Sequence, residues 1–154
     1  MVSYNLQAMS NPKAVGWCAV ATLVALCTVG AVSNGVLRHI VQTLPLWFPI
    51  VMGLREREAA KWASLSCFAI WLQLMILIWL FLLGWANVIS GRFTTIEIVL
   101  TVVIGGASIA GLIVACRWRT GFRWIQGLSI AAAFALLQLV ALRISFLPSI
   151  ARDR

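Results

Sequence analysis

The sequence predicts an all-α membrane protein with four transmembrane helices and a Pro-containing segment, interfacial or re-entrant, between the first and second. Three observations predict it. First, 62% of the 154 residues are hydrophobic and only 10% are charged, against about 25% charged in soluble domains. Second, Trp62 to Gly91 contains no Asp, Glu, Lys, Arg or His. Apolar runs of about 18 residues or more exceed the needs of a soluble core helix, and about 20 helical residues cross a roughly 30 Å hydrocarbon layer. Third, the basic residues gather at the ends of the apolar runs, where they meet headgroups and orient spans. Lipid leaves unpaired backbone groups without water, so each isolated span is a helix.

The length suits a single domain over 1–154. The net charge of +8 would suggest a nucleic-acid partner in a soluble protein. Here no Lys/Arg block and no polar domain is available to bind one, so nucleic acid is not an expected partner. Cys18, Cys27, Cys67 and Cys116 lie in or beside apolar runs without CxxC or metal-ligand spacing, and read as buried apolar thiols.

The first span is expected over about 14–43. Its apolar run is longer than the roughly 7–15-residue core of a cleavable signal, and a single Lys, Lys13, precedes it. Small residues recur at Ala21 and Ala25, then at Ala31 and Gly35, a spacing that lets helices approach closely in lipid. Pro45 and Pro49 predict an irregular stretch after Thr43, because Pro lacks a backbone donor and disfavours helix before it. This stretch looks too short and broken for a crossing, with Trp47 as an interfacial anchor. Arg55 to Lys61 is a charged turn.

The second span is expected over about 58–89, with Asn87, Ser90 and Gly91 marking its exit. Thr94-Thr95-Ile96-Glu97 reads as a capping box that opens a third span over about 95–116. Its small residues Ala107, Gly111 and Ala115 form one stripe. A turn at Thr120-Gly121 leads to a fourth span over about 122–146, with a stripe at Gly127, Ala131 and Ala135. Pro148 ends it. Because the first, third and fourth spans carry small-residue faces, these three are expected to pack tightly. The bulky second span is expected at the periphery, facing lipid or another protein. Seven basic residues, Arg38, Arg55, Arg57, Lys61, Arg117, Arg119 and Arg123, fall on one side of this arrangement. Five fall on the other: Lys13, Arg92, Arg143, Arg152 and Arg154. The positive-inside rule then puts both termini outside the cytoplasm, in a cytoplasmic (inner) membrane.

Candidate functional residues are few. Ionisable groups at membrane depth mark ion or proton paths when they are not simple interface anchors, which singles out Arg38, His39 and Glu97, with Gln42 and Pro45 beside them. Capping and the helix dipole already account for Glu97. A bis-His haem needs two imidazoles, and the chain has one His, so no cofactor is expected, although His39 could serve as a ligand shared with a second chain. Gln73, Asn87, Gln126 and Gln138 read as interhelical glue. Trp17, Trp47, Trp62, Trp85, Trp118 and Trp124 read as an interfacial belt. Trp71 and Trp79 lie on nearly one face of the second span and read as a lipid-facing or protein-facing ridge, with a pigment, quinone or lipid contact as the alternative. There is no Ser-His-Asp set, carboxylate pair, GxSxG, HExxH or P-loop. With four acidic residues and one His, acid–base chemistry has few players. The expectation is a protein without catalysis, an accessory or structural subunit of a membrane complex or a homo-oligomer. Its partners would be the lipid bilayer and other membrane-protein subunits or further copies of itself. The alternatives are a small transporter or channel with its path near Arg38, His39 and Glu97, or a cofactor-binding electron-transfer subunit.

Overall fold

The computed structural model describes residues 11–86 and 93–151. The order is α1 (Asn11–Val32), α2 (Val36–Thr43), a 3-10 turn (Leu44–Leu46), α3 (Trp47–Leu54), α4 (Ala59–Leu82), α5 (Thr95–Arg117), α6 (Trp124–Ser145) and α7 (Pro148–Ala151). Four of these, α1, α4, α5 and α6, are long and apolar enough to cross a bilayer. The protein is an all-helical, multi-pass membrane protein.

The first correction to the sequence reading is at the end of α1. The helix stops at Val32 instead of extending to about Thr43. Asn34 adopts a left-handed backbone with φ 53°, which Asn tolerates better than most side chains. The Gly35 amide then donates back to the Gly30 carbonyl at 2.9 Å. The chain reverses here, and α2 folds back along α1. His39 packs so closely on Gly30 that a Cβ there would meet the imidazole.

The second correction concerns the prolines. Helical backbone continues through both. Pro45 falls at the start of the 3-10 turn, and Pro49 in the first turn of α3. At the start of a helical segment the missing N–H has no intrahelical acceptor to lose. Val36 to Leu54 therefore runs as one kinked helical path back along α1. At its end Gly53 meets Gly16 backbone to backbone, and a Cβ on Gly53 would sit 2.9 Å from the Gly16 Cα and from the Pro12 carbonyl.

This reversal regroups the charges. Lys13 pairs with Glu56 at 2.8 Å, so the start of α1 joins the end bearing Arg55, Arg57, Lys61, Arg117, Arg119 and Arg123. Arg38 moves to the opposite end, where its guanidinium lies 4.1 Å from the centre of the Phe146 ring just beyond α6.

The expected packing is met in part: α1 and α5 do pack extensively on each other, but the second and fourth spans exchange places. The second span, α4, is central, with α5 on one side and α6 on another, and it also meets α3 and α1. The fourth span, α6, is the peripheral one and rests on α4, α2 and the 3-10 turn. The reason is the fit of large groups to small ones. Phe68 and Trp79 of α4 occupy the space above Gly111 and Gly105 of α5, and Trp62 occupies the space above Gly127 of α6. The small-residue stripes thus receive aromatics from α4. On α1, Ala25 is buried, but Ala21 and Ala31 are exposed. Its close contacts are made through Gly16 and Gly30 instead.

α4 ends at Leu82, before the expected exit near residue 89. Gly84 takes φ +73°, and Trp85 and Gly84 donate to the Leu80 and Phe81 carbonyls at 2.9 and 3.0 Å, the Schellman closure. Asn87, Ser90 and Gly91 lie outside the described residues. The capping box is present as expected: the Glu97 amide donates to Thr94 Oγ1, and the Thr94 amide donates to Glu97 Oε2 at 2.7 Å.

Gly53→Ala should destabilise the fold by about 1–3 kcal/mol, because two backbones must separate to admit the methyl group. Gly106→Ala, where nothing lies within 4 Å, should be neutral or stabilising by up to about 1 kcal/mol. Unfolding of both variants in mixed micelles compares them directly. Equal effects would contradict the α1–α3 approach.

Candidate functional site

Four of the five candidate residues, Arg38, His39, Gln42 and Pro45, lie on the returning segment, and Glu97 opens α5. The α1 reversal places Arg38, His39 and Gln42 at the end of the bundle where α6 finishes. His39 is half-buried, with Nδ1 2.9 Å from the Gly35 carbonyl. A carbonyl only accepts, so the proton is on Nδ1. At the start of α5, Glu97 Oε2 accepts from the Thr94 amide. Its carboxylate also receives the Thr94 hydroxyl at 3.0 Å, so the cap occupies it.

Gln42 turns toward α6. Its Nε2 donates to Ser145 Oγ at 2.9 Å, and Ser145 Oγ donates to the Leu142 carbonyl at 2.7 Å. About two helical turns earlier on α6, Gln138 Nε2 donates to the Gln42 carbonyl at 3.0 Å. All three side chains are buried, and Gln138 and Ser145 are fully so. In an apolar surround such hydrogen bonds hold helices together. The network fastens α2 to α6, the most weakly held span. Ser145 was missed in the sequence because a Ser near a helix end usually bonds only its own turn. Pro45 is buried beside this network in the 3-10 turn.

The packing candidates differ in burial. Gly111, Ala115 and Gly127 are buried, while Ala107, Ala131 and Ala135 are half-buried. The Ala131 carbonyl accepts from Ser66 Oγ of α4 at 2.6 Å. Gln73 and Gln126 are exposed. Two members of the expected tryptophan belt are structural instead. Trp118 is buried, and its carbonyl accepts from Lys61 Nζ at 2.6 Å. Trp62 covers Gly127. Trp17, Trp47, Trp85 and Trp124 are exposed. Trp71 and Trp79 face inward: Trp71 is buried, and Trp79 Nε1 donates to Thr101 Oγ1 at 3.0 Å.

The basic end carries contacts the sequence reading did not foresee. Glu58 Oε2 accepts from the Gly121 amide at 2.8 Å, tying the α3–α4 loop to the α5–α6 loop. Among the described residues, no three of His, Cys, Asp and Glu gather as a metal site. What the arrangement shows is a helical membrane bundle whose polar side chains bond either within their own helix or across to a neighbouring one. No family model matches the chain, and no characterised protein or solved structure shows significant similarity to it.

A double-mutant cycle on Gln42→Ala and Ser145→Ala should give a coupling of about 0.6 kcal/mol, the usual size for an interhelical hydrogen bond in lipid. Unfolding in mixed micelles measures it, and zero coupling would mean the two groups do not bond each other.

Proposed function

We propose that the protein is a non-catalytic subunit of a membrane assembly, and that it meets a neighbouring helix through the outer face of α5. The supporting observation is Gly106. It is exposed, with open space where a Cβ would stand. Glycine in a helix interior costs about 1 kcal/mol relative to alanine, and acyl chains gain nothing from the missing methyl. A second helix does gain, because backbones can then approach closely. Ala110, also exposed, follows one turn later. Val99, Val103 and Ile113 continue the same exposed face, and these β-branched side chains lose little rotamer freedom on packing. The inner stripe through Gly111 is already filled from α4, so the two faces of α5 are separate surfaces.

A bilayer also gives the returning segment a role. Val36 to Leu54 reaches from His39 beside Gly30 to Gly53 beside Gly16, the span of α1 in reverse. We read it as a fifth, kinked crossing. The basic end then faces the cytoplasm by the positive-inside rule, and Lys13 and Arg143 lie on opposite sides. This differs from the four-crossing expectation, in which Lys13 and Arg143 share a side.

Two measurements test these readings. A photo-crosslinker at Val103 should give adducts with a second copy or another membrane protein, and Gly106→Ile should abolish them. A crosslinker at Leu136, on the outer face of α6, should give few. Equal adducts at both positions would remove the α5 interface. In a cysteine-free background, Lys13→Cys and Arg57→Cys should react with an impermeant maleimide from the same side of the membrane. Labelling from opposite sides would restore four crossings.

A further inference from the structure

The basic end contains a cleft of about 620 Å³ between α3, the loop that follows it and the α5–α6 turn. Its wall has two chemistries. Phe48, Met52 and Phe122 supply an apolar side, and Arg55 and Arg57 stand at the charged rim. Phe48 packs in turn on Phe134 of α6, with ring centres 4.6 Å apart, so the apolar wall continues toward the membrane interior.

The loop holding the two arginines is fixed. Glu56 takes a left-handed backbone, φ 56°, and the Arg57 backbone amide donates to the Met52 carbonyl at 2.8 Å, closing α3. Two carboxylates also line the cleft, Glu56 and Glu58, and both are engaged elsewhere. Glu56 pairs with Lys13, and Glu58 accepts the Gly121 amide. Arg55 and Arg57 have no such partner among the described residues, and both are exposed. Lys61, Arg117, Arg119 and Arg123 add positive charge to the same end.

We infer that this cleft holds one anionic phospholipid, its phosphate between Arg55 and Arg57 and an acyl chain along Phe48, Met52 and Phe122. With Glu56 neutralised by Lys13, the two guanidinium groups outweigh the remaining Glu58 carboxylate, and that surplus complements an anionic headgroup. The ends of α4, α5 and α6 put the rim at headgroup depth, and the apolar wall begins where acyl chains begin. A soluble anion would use the guanidinium groups and leave the phenyl rings unused. The site is remote from the outer face of α5, so it stands or falls independently of the assembly reading.

Native mass spectrometry of the full chain, titrated with phosphatidylglycerol or phosphatidylcholine of identical chains, tests the site. One phosphatidylglycerol should bind in preference to phosphatidylcholine. Arg55→Gln with Arg57→Gln should weaken it about 30-fold, at about a kcal/mol per arginine. Arg117→Gln with Arg119→Gln removes the same charge from the same end but outside the cleft, and should leave binding within a few-fold of wild type. Phe122→Glu, a change at a partly exposed ring, should weaken binding with both arginines intact. Inorganic phosphate should not compete at equal concentration. The site is overturned if the two arginine pairs weaken binding equally, if both lipids bind alike, if Phe122→Glu has no effect, or if phosphate displaces the lipid.

Discussion

The bundle depends on aromatic rings of α4 seated over glycines of its neighbours. In water, burying Phe68 or Trp62 would be driven by the solvent. In lipid the surroundings are as apolar as the ring, and association rests on packing density and a few hydrogen bonds. A ring over a helical glycine contacts backbone atoms that a side chain would otherwise cover. Phe68 over Gly111, Trp79 over Gly105 and Trp62 over Gly127 each make such a contact. Together they join α4 to helices on two sides, and its first half adds the fully buried small residues Ala60, Ala63, Ser64 and Cys67, so the span with the bulkiest centre becomes the middle of the bundle.

Polar contacts hold the two ends of this apolar interlock. At one end, Gln42, Ser145 and Gln138 bind α2 to α6. At the other, Lys61 reaches the Trp118 carbonyl and Glu58 the Gly121 amide, while Lys13 and Glu56 join the start of α1 to the loop after α3. α6 needs these ties most, since it has α4 as its main neighbour and does not pack on α1 or α5 as α4 does. The reversal at Asn34 makes the first tie available by carrying Gln42 to the end where α6 finishes.

The remaining surfaces divide by chemistry. The outer face of α5 is apolar, β-branched and notched at Gly106, and the proposed helix contact rests on that shape. The cleft at the basic end is half apolar and half guanidinium, and suits an amphipathic molecule better than a helix. Neither surface uses the residues that first attracted notice. His39 and Gln42 are committed to local or interhelical hydrogen bonds, and the Glu97 carboxylate caps α5.

The sequence by itself determined the solvent, the four long helices and the cap of α5. Each follows from properties read one helix at a time: an uncharged run long enough to span, or a Thr and a Glu three residues apart. The stop at Asn34-Gly35 and the Schellman closure at Gly84 are also written in the chain, each ahead of the later polar residues that read as helix exits. Pro45 and Pro49 gave a misleading signal, because a proline ends a helix or begins one according to its place in the turn. Only the tertiary structure decided which helix is central, where the returning segment runs and which charges share an end. A glycine stripe announces a close approach without naming the partner. Whether a small face meets another small face or receives a large ring depends on which side chains the fold brings opposite it.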